Sequence, residues 1–386
     1  MALGRLFSAL RREFFWLISP FNQSVSVGES KSALVRKSSA PPLIRSSWDD
    51  LLEGVETPHD WQKRKEILRR RYLELIRDDQ KPAKPTLELV IHEAQTVDGT
   101  YTRQLISYNV DKDERAHAYL AIPLEHQERL PGMVALHGTL EHGKEQVAGL
   151  RDNPDKAYLD HLARRGYVVI APDHFVTGHR TPIMGHYDTR DFYHKHPHWT
   201  AVGKFTFENS IAVDVLQTLD EVNAERIGVL GHSLGGHSSY FLAAYDNRIK
   251  AAVCHCGAGP FRHNPEVEQW SRDHWYIYFK HLRPLLLSAE LPPIDMHEII
   301  ALIAPRAFLD ISGLNDGNPL TQRQRVLMNM KLMEVYELEN APQNFAFYLH
   351  GQRHSVLHDS RALMYAWMDR HLRPPAATQT HLLKRR

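Results

Sequence analysis

One stretch constrains this chain more than any other: Ile227-Gly-Val-Leu-Gly231-His232-Ser233-Leu234-Gly235-Gly236. A short apolar run, the pattern of a strand buried on both faces, leads straight into Gly-x-Ser-x-Gly. Small residues (Ser238, Ser239, Ala243, Ala244) follow at once, as in a helix packed close to its strand. The layout is strand, tight turn, helix, with a serine at the corner. Such a turn strains the serine backbone and stands its oxygen clear of the sheet, while the flanking glycines let strand and helix pass closely. The helix N-terminus then offers free N–H groups and positive potential to a developing negative charge. Ser233 is therefore a candidate nucleophile, and the N–H of Leu234 a candidate oxyanion donor. The alternative is a tight turn without chemistry. The bare pattern arises by chance in roughly one chain in ten of this length, so the strand–turn–helix context carries the reading.

A serine needs a base to take its proton and a third group to orient that base. On this layout the chain order is serine, carboxylate, histidine. After Ser233, the run Phe308-Leu-Asp310-Ile-Ser-Gly313-Leu-Asn-Asp316-Gly317 reads as a strand followed by a loop. Asp316 falls in the loop, where a side chain reaches the sheet edge. Asp310 lies inside the strand and is the weaker candidate, and Asp173 precedes the serine and reads as structural. The last strand, Phe345 to Leu349, runs into His350-Gly351-Gln-Arg-His354, just before a closing helix with Ala362, Tyr365, Trp367 and Leu372. His354 is the candidate base by that position, with His350 as the alternative. The second oxyanion donor is expected after the Met133 strand, in Leu136-His137-Gly138-Thr139: the Thr139 N–H, with Gly138 in reserve.

Around these residues the period of the sequence changes. Residues 22–47 are rich in Ser, Lys and Pro and read as a linker; a helix is expected from Asp60 to Asp78, with Trp61, Leu68, Tyr72, Leu75 and Ile76 at helical spacing. Thr86–Val97 and Tyr101–Tyr108 read as strands joined at Asp98-Gly99, and Ala116–Ile122 as another. Short apolar runs at Met133, Tyr167, Ile227, Ala251, Ala307 and Phe345 then alternate with helical segments. The fold class is thus α/β, a mixed sheet flanked by helices. Four stretches emerge: a basic N-terminal segment and linker (1–48), a helical extension (49–84), a catalytic domain (85–372) with an insertion at about 258–300, and a tail (373–386).

The segments His137-Gly138-Thr139, Arg165 to Asp173, Gly231 to Gly236, Ala304-Pro-Arg306, Asp316 and His354 resemble the dienelactone hydrolase-like and acetyl xylan esterase-like branch of the α/β-hydrolase superfamily. The resemblance spans about residues 85–372. It implies an eight-stranded, mostly parallel sheet with an N-terminal helical extension, and hydrolysis of a carboxylic ester with no metal and no organic cofactor. True dienelactone hydrolases use a cysteine nucleophile; position 233 here is serine, which departs from that pattern. The N-terminal piece is also too short for the propeller of prolyl oligopeptidase-like peptidases. Other readings of the same triad are an acyltransferase or a peptidase, and a further one is a binding protein that keeps the fold without catalysis.

The expected partner is a small-molecule ester. With 47 Lys and Arg against 46 Asp and Glu, there is no basic excess of the kind nucleic-acid binding needs. Residues 1–48 do carry seven basic and two acidic side chains, so a solvated tail or contact with a membrane surface are both open to them. Arg11-Arg12 faintly resembles a twin-arginine signal, but no small-residue cleavage pattern follows, and a cytoplasmic location is expected. The two cysteines, Cys254 and Cys256, flank His255; a disulfide that short is strained and no second ligand pair stands at metal spacing. His194, His196 and His198 read as part of a loop over the site rather than as metal ligands. The aromatic insertion (Trp270, Trp275, Tyr276, Tyr278, Phe279) reads equally as a lid or as a packed layer.

Overall fold

The computed structural model of the chain describes residues 43–373. The N-terminal segment lies outside them up to residue 42, and the tail from residue 374.

Nine strands form one sheet among the described residues: β1 (Val90–Val97), β2 (Tyr101–Asp111), β3 (Glu114–Pro123), β4 (Leu130–Leu136), β5 (Val168–Pro172), β6 (Val222–His232), β7 (Ile249–His255), β8 (Ala307–Gly313) and β9 (Phe345–His350). They lie in the order β1-β2-β3-β5-β4-β6-β7-β8-β9. The first three are antiparallel and β3 meets β5 antiparallel, while every pair from β5 to β9 is parallel. That is one strand more than the resemblance implies. The outermost strand, β1, is exposed along nearly its whole length, so it adds hydrogen-bonded edge rather than core. It begins at Val90 and not at Thr86, beyond a positive φ of 44° at Glu88, and its turn to β2 holds Asp98 and Gly99 both at positive φ.

The helices, in chain order, are α1 (Pro58–Leu75), α2 (Lys144–Val147), α3 (Tyr158–Arg164), α4 (Arg190–Lys195), α5 (Ala201–Gln217), α6 (Leu234–Tyr245), α7 (Arg283–Leu287), α8 (Met296–Ala301), α9 (Pro319–Leu338) and α10 (His358–Leu372). Side chains alternate along the strands, so each face of the sheet feeds its own core. On β4, Val134 and Leu136 join the core under α1, α5, α6, α8 and α9, while Met133 and Ala135 join the one under α3 and α10. None of the helices among these residues is long and apolar enough to cross a membrane.

The N-terminal extension is part of this body. α1 starts at a capping box in which Thr57 and Asp60 exchange hydrogen bonds, with Pro58 in the first turn. It stops before the expected Asp78 because Arg77 turns left-handed, at φ 55°. Its Trp61, Leu68 and Tyr72 are buried in the same core as α6. Tyr72 donates to the Phe241 carbonyl (2.7 Å), Trp61 to Glu339 (2.8 Å), and Arg69 to the Ala244 and Tyr245 carbonyls. The buried Arg262 pairs with Asp295 and with Asp50 (both 2.9 Å), tying the insertion to the segment ahead of α1.

Candidate active site

The parallel strands end together, and the predicted site residues lie on the loops that leave those ends. Ser233 stands between β6 and α6 at φ 60° and ψ −118°, a conformation non-glycine residues rarely adopt. Two things hold it there. Its N–H donates to the His255 carbonyl (2.8 Å), and its carbonyl accepts from the His237 N–H (3.0 Å). The glycines are required by the close passage of chain: a Cβ on Gly235 would sit 2.1 Å from the Leu136 carbonyl oxygen, and one on Gly231 2.5 Å from that of Gly235. Leu234 opens α6, so its N–H belongs to the first turn that has no partner within the helix.

His354, 29% exposed, places Nδ1 2.9 and 3.0 Å from the two oxygens of Asp316. Burial opposes ionisation of Asp316, but the His354 hydrogen bond, with Arg325 nearby, holds its carboxyl below the ordinary range. The loop is braced from α9, where Gln322 donates to the Asp316 carbonyl and receives a hydrogen bond from Arg325 (3.0 Å). Among the described residues no hydrogen bond joins the Ser233 hydroxyl to His354, a contact that often tightens only with substrate in place. Asp310 faces away, fully buried, accepting from Asn329 on α9 (2.8 Å). His350 is buried at the end of β9, where its Nδ1 meets the Gln352 N–H (3.4 Å) and not Asp316.

The loop after β4 comes against the nucleophile: a Cβ on Gly138 would lie 3.5 Å from that of Ser233. Its peptide orientation is fixed by neighbours the sequence reading did not single out. His137 Nε2 accepts from the His174 N–H (3.0 Å), so the ring proton sits on Nδ1 and is donated to the Gly138 carbonyl (2.7 Å). The Tyr187 hydroxyl, 2% exposed, accepts from the Leu140 N–H (2.8 Å) and has its one proton between the Leu140 carbonyl (2.8 Å) and that of Gly138 (3.2 Å). A peptide's C=O and following N–H point opposite ways, so the Thr139 N–H faces away from His137 and Tyr187. Asp173 clamps the far end of the loop, accepting from the Lys144 N–H (3.0 Å) and pairing with the buried Lys144 ammonium. Burial works against the Asp173 charge, but the His179 N–H and the Lys144 cation keep its carboxyl well below the usual range.

The aromatic insertion is packed rather than free. Trp270 and Phe279 lie against Phe241 of α6, and Trp270 covers His237 with ring centres 4.9 Å apart. His194 and His198 are exposed and His196 half-buried near α4; no cluster of metal-ligating type forms there among the described residues. Cys254 and Cys256 are both free and buried. Two surface hollows, one lined by Met333, Tyr336 and Phe347 and one by Arg103 and Tyr119, contain none of the site residues.

Comparison with known proteins agrees with this architecture. The Dienelactone hydrolase family matches residues 117–277. A Bacillus subtilis (strain 168) protein, YtaP, is 28% identical over 210 residues, which cover 53% of this chain and 66% of YtaP. Among solved structures, a glucuronoyl esterase from Solibacter usitatus superposes with a TM-score of 0.64 at 16% identity, covering 86% of this chain and 97% of that one. An acetyl xylan esterase from Paenibacillus sp. R4 gives 0.53 at 19% identity, covering 86% and 98%. With this sheet and this strand–serine–helix corner the chain has the α/β-hydrolase fold, and it is similar to the Dienelactone hydrolase family over the matched residues.

Proposed function

We propose that the chain is a serine esterase that cleaves a small carboxylic ester through an acyl-enzyme. The observation that carries this reading is the His354 Nδ1–Asp316 contact at 2.9 Å beside a serine held in a strained turn at a helix N-terminus. Ser233 attacks the ester carbonyl while His354 Nε2 takes its proton. Asp316 keeps the other ring nitrogen protonated and stabilises the imidazolium that forms. The N–H groups of Leu234 and Thr139 hold the tetrahedral oxyanion. His354 then protonates the leaving alcohol, and water repeats the sequence to release the acid. That a glucuronoyl esterase and an acetyl xylan esterase share the fold supports esters on sugars as substrates.

The test is hydrolysis of p-nitrophenyl esters from acetyl to decanoyl, of acetylated xylan and of a methyl glucuronate ester. Replacing Ser233 by Ala, or Asp316 by Asn, is expected to lower kcat by on the order of 10⁴. The chain-length profile sizes the acyl pocket. Turnover that survives Ser233→Ala, or a wild type that neither cleaves an ester nor reacts with a fluorophosphonate, would sink the reading.

A further inference from the structure

Beneath the nucleophile the strand ends gather two histidines that the esterase reading leaves without a task, beside a thiol, Cys256, that hydrogen-bonds Asp316. His232 closes β6 and His255 closes β7, paired in register, with Cys256 next along the chain. One ligand atom of each lies within 4.8 Å of the other two. All three residues are buried, at 2%, 0% and 5% exposure. His255 spends Nε2 on the Ser360 hydroxyl of α10 (3.0 Å), which leaves its Nδ1 buried with no partner. His232 Nε2 is buried and unpartnered as well. Two buried ring nitrogens without hydrogen bonds are costly wherever they occur, and here they stand side by side with a thiol. Neutral imidazoles beside a thiol are the donor set that thiophilic d¹⁰ cations prefer.

We propose that His232, His255 and Cys256 bind one divalent ion of the zinc type, with Asp316 as fourth ligand, and that the bound ion switches the ester-cleaving site off. Cys256 also groups with Asp316 and His354, their ligand atoms again within 4.8 Å of one another, so the carboxylate that orients the base is within reach of the ion. Tetrahedral zinc sets such ligand atoms about 3.3–3.8 Å apart, which asks for a contraction of about 1.5 Å at most among His232, His255 and Cys256, and between Cys256 and Asp316. As the metal–sulfur bond forms, the thiol proton leaves to solvent; thiolate and carboxylate then balance the two charges of the ion, and the buried assembly is neutral. Ser360 supplies the outer hydrogen bond that fixes the His255 ring. His354, which is part-exposed, has its ring centre 4.5 Å from that of His232, and an ion would enter from that side. An ion that takes Asp316 leaves His354 without its orienting partner. This inhibitory consequence rests on the proposed triad; the binding itself does not.

Metal-stripped protein titrated with Co²⁺ provides the test. One equivalent is expected to bind with the visible bands of tetrahedral cobalt and a thiolate-to-metal charge-transfer band, both bleached by an equivalent of Zn²⁺. Cys256→Ser is expected to abolish the charge-transfer band, and His255→Gln to keep it while weakening affinity by about tenfold or more. Circular dichroism and fluorophosphonate labelling of each variant show that fold and nucleophile are intact; a variant that fails either is replaced by Cys256→Ala or His232→Gln. Ester turnover of the wild type should fall to about a tenth or less with bound Zn²⁺ and return with a chelator. Cobalt bound without a thiolate band, or bound equally well by Cys256→Ser, would overturn the site. Full turnover with zinc bound would overturn its coupling to the base. A wild type that cleaves no ester defeats the triad reading instead, and the cobalt spectrum still judges the metal site.

Discussion

Asp173 lies in the wrong chain order to orient His354, yet its geometry makes it necessary to the site. It holds the Lys144 N–H and ammonium at the end of the loop that carries Thr139, with both side chains at most 1% exposed. Asp173→Asn leaves a buried cation without its counter-charge and should cost about 3–5 kcal/mol, read as a drop in the urea midpoint. It should also lower kcat more than it raises KM, because the loop it anchors carries Thr139, the proposed oxyanion donor. The neighbouring histidines give the molecule a pH dependence with a definite sign. Burial lowers the pKa of His137, and of His174 and His232 well below the ordinary value. The unfolded chain, with pKa values near 6.5, therefore takes up protons first. Stability is whole above that pH and falls as pH drops toward the folded values, by up to about 1.4 kcal/mol per pH unit for each ring. The urea midpoint should decline between pH 7 and pH 5, above the ordinary carboxylate range, and His137→Gln should flatten the decline. A midpoint constant over that interval would mean the rings are charged in the folded state.

At the level of elements, the signals that could be read from the chain were those written locally. The corner at Ser233 is legible because each glycine answers a contact within a few residues or with the adjacent strand end. The loops carrying Asp316 and His354 are legible from their place after apolar strands. What could not be read was placement across the fold. Nothing in the neighbourhood of Tyr187 announces that its hydroxyl meets the Gly138 carbonyl, and nothing near His232 announces His255 and Cys256 on the next strand. The extension at 49–84 reads as a separate piece because α1 is amphipathic in its own right. Its apolar stripe instead completes the core over α6. Trp61→Ala should therefore cost about 3–5 kcal/mol, and Tyr72→Phe about 1 kcal/mol, measured by chemical unfolding of the full chain. An α1 that were merely appended would make both changes nearly silent.

Across the whole molecule the sheet has two unlike ends. The parallel half, β4 to β9, is sandwiched between two cores and supplies every residue of the proposed triad. The antiparallel edge ends in β1, exposed and with Val90 and Ile91 on the surface, and contributes none. Chain order and spatial order also differ in one respect that matters before the protein is finished. α1 is made early, but the groups that hold it are far along the chain: the Phe241 carbonyl 169 residues later and Glu339 278 residues after Trp61. During synthesis this helix emerges with Trp61, Leu68 and Tyr72 uncovered and must wait, while 169 to 278 further residues are made, for the surface that hides them. Its docking waits on those distant groups, and until they arrive that apolar stripe is open to contact with other chains, where a chaperone would shield it.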